Sequence, residues 1–576
     1  AVSAWKGKMD AARGRAEIDL VLRRARLVNV FSGEVHFTEI GIDRGRFVGI
    51  GAFARARREI DLDGKYVVPG LIDGHVHIES SSLCPEEFCA LLLSHGVTAA
   101  VVDPHEIANV AGAAGIRYVL DALAPLPFHG FVALPSCVPA TDLETSGARL
   151  AAEDLRPFVE HPRVIGLGEV MDYPAVLEAR PEMTAKLELP VRHRDGHAPG
   201  IAAQDLNAYY LAGMTTDHEC TTPEEVLERL RRGFYIMLRE GSAARNLLAL
   251  LPAVNAENAS RFLFVTDDRH VTDLLREGSI DHLIRLAIRA GCPPVRAVQM
   301  ATINAARAFG LTGVGAVAPG YQADFVVLND LERFAIEAVY WRGERQSNRG
   351  ARPRFPHLPA PHLMNSVRIG DWSADRLAVR ADGAAPGGRA RVRVIGVREF
   401  SLLTDALERE LPVQDGLVQP DPARGIAKIA VIERHHASGR VGLGFVEGLG
   451  LQRGAVASTV AHDSHNLVVV GMSDAEMDLA VRACVEMGGG FCLVAGDRVL
   501  GRLPLPVAGL ITERPAEETA HALDELHRLA RGLGVSAGTD PLMTLAFLSL
   551  PVIPELKLTD RGLVDVHSFQ PVPLLL

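Results

Sequence analysis

The chain has 576 residues, too many for one hydrophobic core, so two to four domains are expected. Hydrophobic residues make up 48 %, ample for globular packing, and the formal net charge of −11 argues against a nucleic-acid partner. The N-terminal AVSAWKGKMDAARGRAEIDL has no apolar signal core, and no apolar run is long enough to cross a bilayer, so a soluble protein is expected, with no membrane partner.

Residues 18–68 read as short strands. In IDLVLRRARLVNVFSGEVHFTEIGIDRGRFVGIG, Val, Ile and Phe alternate with polar residues, and SGE and DRGR supply turns. Residues 1–70 are therefore expected to open a small, β-sandwich-like domain. From Leu71 apolar runs recur between helix-sized segments: LIDGHVH (71–77), VTAAVVD (97–103), GFVALP (130–135), VIGLGEV (164–170), ELPVRH (188–193), MTTDH (214–218), FYIMLRE (234–240) and FLFVTDD (262–268). Eight such alternations point to a (β/α)8 barrel over 71–310. GAVAPGYQADFVVLND (315–330) looks like strand again, and 311–346 is expected to return to the small β domain. The Pro/Arg-rich stretch 347–362 reads as a linker, and 363–576 as a C-terminal α/β or α+β domain. The fold class is thus α/β. Seven cysteines (84, 89, 137, 220, 292, 484, 492) contain no CxxC pair, and a reduced, cytoplasmic setting is the simpler reading.

Chemistry in such barrels sits at the C-terminal strand ends. Here those ends carry His75 and His77, then Asp103, His105 and Glu106, then Glu169, His197, His218, Glu240 and Asp267. Residues i and i+2 of a strand share a face, so His75 and His77 can aim two imidazoles at one point, as metal ligands do. Each position also has a plain structural reading. His105 and Glu106 can open a helix after Pro104, His193 reads as an exposed polar residue, and His218 can start a helix. Of the doublet at 267 and 268, strand alternation favours Asp267 as the inward group, with Asp268 behind it or toward a substrate. AHDSHNL (461–467) reads either as a polar turn or as a loop covering the barrel mouth, with His462 and His465 against the substrate.

Several long motifs occur in order: PGLIDGHVHIESS (69–81), VVDPHEIANVAG (101–112), GLGEVM (166–171), DGHAPG (195–200), DHECTTPEE (217–225) and TDDRH (266–270). With IAVIERHHASGRVGLGFVEGLGLQRGAVASTVAHDSHNLVVVG (429–471), they make the chain resemble the amidohydrolase superfamily, and within it the bacterial adenine deaminase family. The resemblance implies a metal-dependent hydrolase barrel with two divalent metal ions, Mn²⁺ or Fe²⁺ foremost and Zn²⁺ compatible. It implies His75, His77 and Asp267 on one metal, His197 and His218 on the other, and Glu169 bridging both. Many relatives bridge with a carbamylated lysine, but the fourth strand here ends in Glu169, and Lys186 falls well past it.

The same resemblance implies hydrolysis of adenine to hypoxanthine and ammonia. Asp267 would take the proton of the attacking hydroxide, Glu169 would deliver one to N1, and Asp103 would lie near the leaving amino group or the metals. Asp268, His105, Glu79, His462 and His465 are candidate adenine contacts. The expected partners are adenine, water and a second copy of the chain in a dimer. Other readings stay open: cyclic amide hydrolysis on a similar metal shell, a mononuclear deaminase, or a binding protein on a dead scaffold.

Overall fold

Alternation of apolar and polar residues makes Ile18–Asn29 and Glu34–Asp43 an antiparallel pair, with Arg46–Ile50 added beside the second strand and Ala56–Asp61 parallel to the first. Tyr66–Pro69 also pairs with the first strand, and its other edge receives Phe325–Asp330 after the barrel has been completed, with Val68 opposite Val326. Ala335–Trp341 and Glu344–Asn348 complete the sheet. It is one eight-stranded sheet rather than two. It doubles over so that Arg46 bridges Gln322, and Leu20, Leu27, Phe47, Val67, Phe325 and Tyr340 share one core. The sandwich-like character comes from that fold-over. The computed structural model describes residues 2–381, 388–399 and 401–576. Residues 1, 382–387 and 400, which fall within the expected small β and C-terminal domains, lie outside the described residues.

The barrel strands are Leu71–Val76, Val97–Val102, His129–Leu134, Val164–Val170, His193–Gly196, Thr216–Asp217, Tyr235–Arg239 and Phe262–Val265. The first five form one parallel arc and the last three another. Strands such as Val97–Val102 are buried at every position, as a parallel strand covered on both faces requires. Ile72, Ala99, Val101, Ala133, Met237, Leu263 and Val265 share a core cluster with Ala305, Ala306 and Phe309.

Two strand assignments need correction. The fifth strand is His193–Gly196, not 188–193: Leu189 and Pro190 follow directly on the helix Pro181–Leu187, whose end is capped at Glu188. The sixth strand is only Thr216–Asp217.

The two seams between the arcs are stapled alike. At one, Thr266 Oγ1 donates to Asp73 Oδ2 at 2.5 Å, and Asp267 bridges Val76. At the other, Thr216 Oγ1 donates to Asp195 Oδ1 at 2.6 Å. Each aspartate opens an Asp-Gly-His triplet, 73–75 and 195–197. A Cβ on Gly196 would lie 2.1 Å from the Thr216 carbonyl oxygen, so that seam closes only over glycine.

The chain divides into two compact units. The first comprises Ala1–Pro104, Val119–Ser136 and Ala151–Leu358; the second comprises His105–Tyr118, Cys137–Leu150 and Pro359–Leu576. The passage at 358/359 lies in the Pro/Arg-rich segment. The second unit is built on a nine-stranded, mostly antiparallel sheet from Arg389–Val397 to Arg498–Pro504. Helix Asp474–Glu486 packs Met477, Ala480, Val481 and Cys484 against Ile432, Ala455 and Val469 of that sheet. The helix opening at His105 and the segment around Glu144 therefore belong to the second unit, although in sequence they follow the second and third barrel strands.

Candidate metal centre

The first strand ends with His75 and His77, both buried, their Nε2 atoms 3.1 Å apart. Their other nitrogens are already committed. His75 Nδ1 meets Asp195 Oδ2 at 2.8 Å, and His77 Nδ1 meets the Asp103 carbonyl at 2.9 Å. With Nδ1 protonated toward these acceptors, each ring turns an Nε2 lone pair to the same place, the tautomer a metal requires.

Glu169 ends the fourth strand, and its two oxygens face different histidines. Oε1 lies 3.3 Å from His77 Nε2 and 3.8 Å from His75 Nε2. Oε2 lies 2.5 Å from His197 Nδ1 and 3.3 Å from His218 Nε2. Asp267 adds Oδ1 at 3.1 Å from His77 Nε2 and 3.6 Å from His75 Nε2. The proposed ligands therefore gather as two groups, His75/His77/Asp267 and Glu169/His197/His218. Lys186 is elsewhere: its Nζ donates to the Ser136 carbonyl at 2.7 Å.

Supporting residues hold this arrangement. Asp103 Oδ2 accepts the Glu169 backbone N–H at 2.9 Å, so Asp103 steadies both His77 and Glu169. A Cβ on residue 168 would fall 2.0 Å from that oxygen, which is why the position before Glu169 must be glycine. Tyr209, fully buried, donates to the Val170 carbonyl at 2.8 Å and accepts the His197 N–H at 2.9 Å, tying the ends of the fourth and fifth strands. Asp267 occupies the left-handed region, φ 57°, and is held there by its N–H to the His75 carbonyl at 2.9 Å. Its Oδ2 accepts from Arg239 Nη1 at 2.9 Å, and the same Nη1 contacts Glu219 Oε1.

The electrostatics ask for cations. Burial opposes charge on Glu169, yet His197, His218 and His77 hold its carboxyl well below the usual range. Burial likewise opposes charge on Asp267, and His77, Arg239 and His218 outweigh it. Burial lowers His218, but Glu169 and Asp267 lift it to about 10. Divalent ions on these donor atoms would take the place of the protons that the carboxylates favour on the imidazoles. Donor separations of 3.1–3.8 Å around His75 and His77 suit metal–ligand bonds of about 2.1 Å. Imidazole and carboxylate donors without thiolate suit first-row divalent metals.

The substrate candidates come from both units. Glu79 is buried in the single turn Ile78–Ser81 after His77, and Ser80 Oγ donates to Asp268 Oδ1 at 2.5 Å, so these stand with the candidate ligands in the first unit. His105, His462 and His465 stand in the second unit around Glu106, whose Oε1 is 2.5 Å from His462 Nδ1 and whose Oε2 contacts His465 Nε2. His465 Nδ1 accepts the Ala461 N–H at 3.1 Å, which places its proton on Nε2, facing Glu106; the three side chains form one buried cluster whose donor atoms lie close enough together for a metal ion. His193 is corrected: it is buried, 3.2 Å from Thr216 Oγ1, and burial pushes its pKa down to about 4.

Three residues that support the site are absent from the sequence-based candidates: Asp73, Asp195 and Tyr209. The repeated Asp-Gly-His was a visible signal for the first two; nothing local distinguishes Tyr209.

Residues 66–345 match the amidohydrolase family, and residues 401–570 match the adenine deaminase C-terminal domain. Adenine deaminase 2 of Carboxydothermus hydrogenoformans is 50 % identical over 574 residues, 99 % of each chain. The chain belongs to the adenine deaminase family. An adenine deaminase of Nitratidesulfovibrio vulgaris is 50 % identical over 568 residues, covering 97 % of each chain, and that of Geobacillus kaustophilus is 43 % identical over 581 residues, covering 99 % of each. Family membership implies divalent metal binding, and the two His-carboxylate groups fit it.

Proposed function

We propose that the protein hydrolyses adenine to hypoxanthine and ammonia at a binuclear metal centre. The observation that carries the mechanism is the split of Glu169, one oxygen toward His75 and His77, the other toward His197 and His218. Identity of 50 % with adenine deaminases across both units supports the substrate.

His75, His77, Asp267 and Glu169 Oε1 would hold one metal; His197, His218 and Glu169 Oε2 the other. When bound, two divalent cations supply Lewis acidity that makes hydroxide available near neutral pH. The residues do the rest. Asp267 would be the base for the attacking water, its carboxylate oriented by Arg239 at Oδ2. Glu169 would relay a proton from that water to N1, where charge builds as C6 is attacked, and Asp267 would pass the proton it takes to the departing amino group. Asp103, engaged by Glu169 N–H and His77 Nδ1, is a positioning residue. Glu79 and Asp268 are the adenine contacts this geometry favours. Each proton-transfer step is worth about 10²–10⁴-fold in rate.

The same proposal includes Mn²⁺ or Fe²⁺ as the native metal, favoured by the family resemblance, with Zn²⁺ equally compatible with the thiolate-free donor set, and a homodimer in the cytoplasm. No helix among the described residues is long and apolar enough to cross a membrane.

Ammonia release from adenine by protein of known metal load tests the reading, with adenosine, guanine, hydantoin and dihydroorotate as controls. Release from adenine above all others is expected; hydantoin or dihydroorotate turnover without adenine turnover refutes it. Glu169→Gln and Asp267→Asn should each keep the fold and lose most of kcat, and near-normal turnover in either metal-loaded variant removes that residue from the mechanism.

A further inference from the structure

The two halves of the centre are unequal. The first has four donors: His75 Nε2, His77 Nε2, Glu169 Oε1 and Asp267 Oδ1, separated by 3.1–3.8 Å. The second has three: His197 Nδ1, His218 Nε2 and Glu169 Oε2. A fourth donor stands at similar spacing. Glu219 Oε1 is 3.5 Å from His218 Nε2 and 3.7 Å from His197 Nδ1, the two nitrogens that face Glu169. Four donors on bonds of about 2.1 Å sit about 3.4 Å apart in a tetrahedron.

Glu219 does not reach this place by chance of a mobile side chain. Its backbone N–H is accepted by Asp217 Oδ1 at 2.9 Å. Asp217 is fully buried and paired with buried Arg229, whose Nη2 donates to the Ala198 carbonyl at 2.7 Å, next to His197. The Glu219 carboxylate is 13 % exposed and is gripped by Arg239, which holds Asp267 with the same nitrogen.

We propose that Glu219 is the fourth protein ligand of the second metal, and that Arg239 orients it while orienting Asp267 for the first. This rests on the binuclear reading above. Arg239 thereby ties one carboxylate from each half to a single guanidinium nitrogen.

The test is Mn²⁺ binding to chelator-stripped protein by equilibrium dialysis, with metal counted directly. Wild type should hold two Mn²⁺ per chain. Glu219→Gln should weaken the second Mn²⁺ by 10-fold or more and leave the first within about 2-fold, the scale expected when a ligand or its direct support is lost. Two Mn²⁺ bound with wild-type affinities in Glu219→Gln overturns the proposal. Equal weakening of both sites also overturns it, because that pattern marks Glu219 as a counter-ion of Arg239 acting through Asp267. Should Glu219→Gln fail to fold, Glu219→Asp keeps the charge and shortens the reach by one methylene, and is read by the same two criteria. A wild type holding only one Mn²⁺ refutes the binuclear reading itself, which keeps the two failures distinct.

Discussion

Replacing Asp195 with Asn should reverse a tautomer. In the native chain Asp195 Oδ2 takes the Nδ1 proton of His75 at 2.8 Å, while Oδ1 takes Thr216 Oγ1 at 2.6 Å and Gly196 N–H at 2.9 Å. Asparagine has one acceptor oxygen, and two donors already compete for it on the Oδ1 side. Its amide nitrogen must therefore face His75 Nδ1 and donate. His75 then carries its proton on Nε2, the atom 3.1 Å from His77 Nε2, where a metal needs a lone pair. Loss of such an orienting partner costs 10–100-fold in metal affinity, about 1.4–2.7 kcal/mol. The change adds no bulk and leaves the barrel seam bonded through Thr216, so unfolding of the apoprotein should shift little. Mn²⁺ dialysis of Asp195→Asn against wild type measures it, and Thr216→Val serves as control, because it removes a seam hydrogen bond and leaves Asp195 Oδ2 on His75. Wild-type affinity for both metals in Asp195→Asn would refute the tautomer argument; an equal loss in Thr216→Val would show that the seam, not the tautomer, matters.

Gly168→Ala should force Asp103 away by more than 1 Å, because the new Cβ would lie 2.0 Å from Oδ2 and 2.5 Å from Cγ. A shift of that size at the support of Glu169 should cost roughly 10²-fold in kcat/KM, read by the ammonia assay at saturating metal. His193 is held neutral, with a folded pKa of about 4 against 6.5 unfolded, so its contribution to stability is complete above pH 6.5 and is lost as pH falls toward 4. In chelator, wild type should lose up to about 3 kcal/mol more than His193→Gln across that window, measured by urea unfolding; parallel curves would contradict it. Glu106→Gln should destabilise the second unit by about 2–3 kcal/mol, since an amide cannot accept from both His462 and His465, and thermal unfolding reads the shift.

The strand ends were legible because a parallel barrel imposes a simple rule on sequence. Apolar runs buried on both faces end where polar residues begin, and His75, His77, Glu169, His197, His218 and Asp267 each stand at such an end. The fifth and sixth strands were legible only in part. Four and two residues long, they carry too little periodicity, and buried polar His193 and Asp195 break the apolar signature.

The order of the motifs and the chemical type of each candidate ligand follow from the residues themselves, because imidazoles and carboxylates keep their donor chemistry in any fold. Which oxygen meets which nitrogen was settled only in three dimensions. Asp195 reaches His75 across 120 positions of chain, Arg239 joins Asp267 to Glu219, and the helix after Asp103 packs with the second unit. Such pairings follow from barrel closure and side-chain packing between distant segments, and no local pattern encodes a distance.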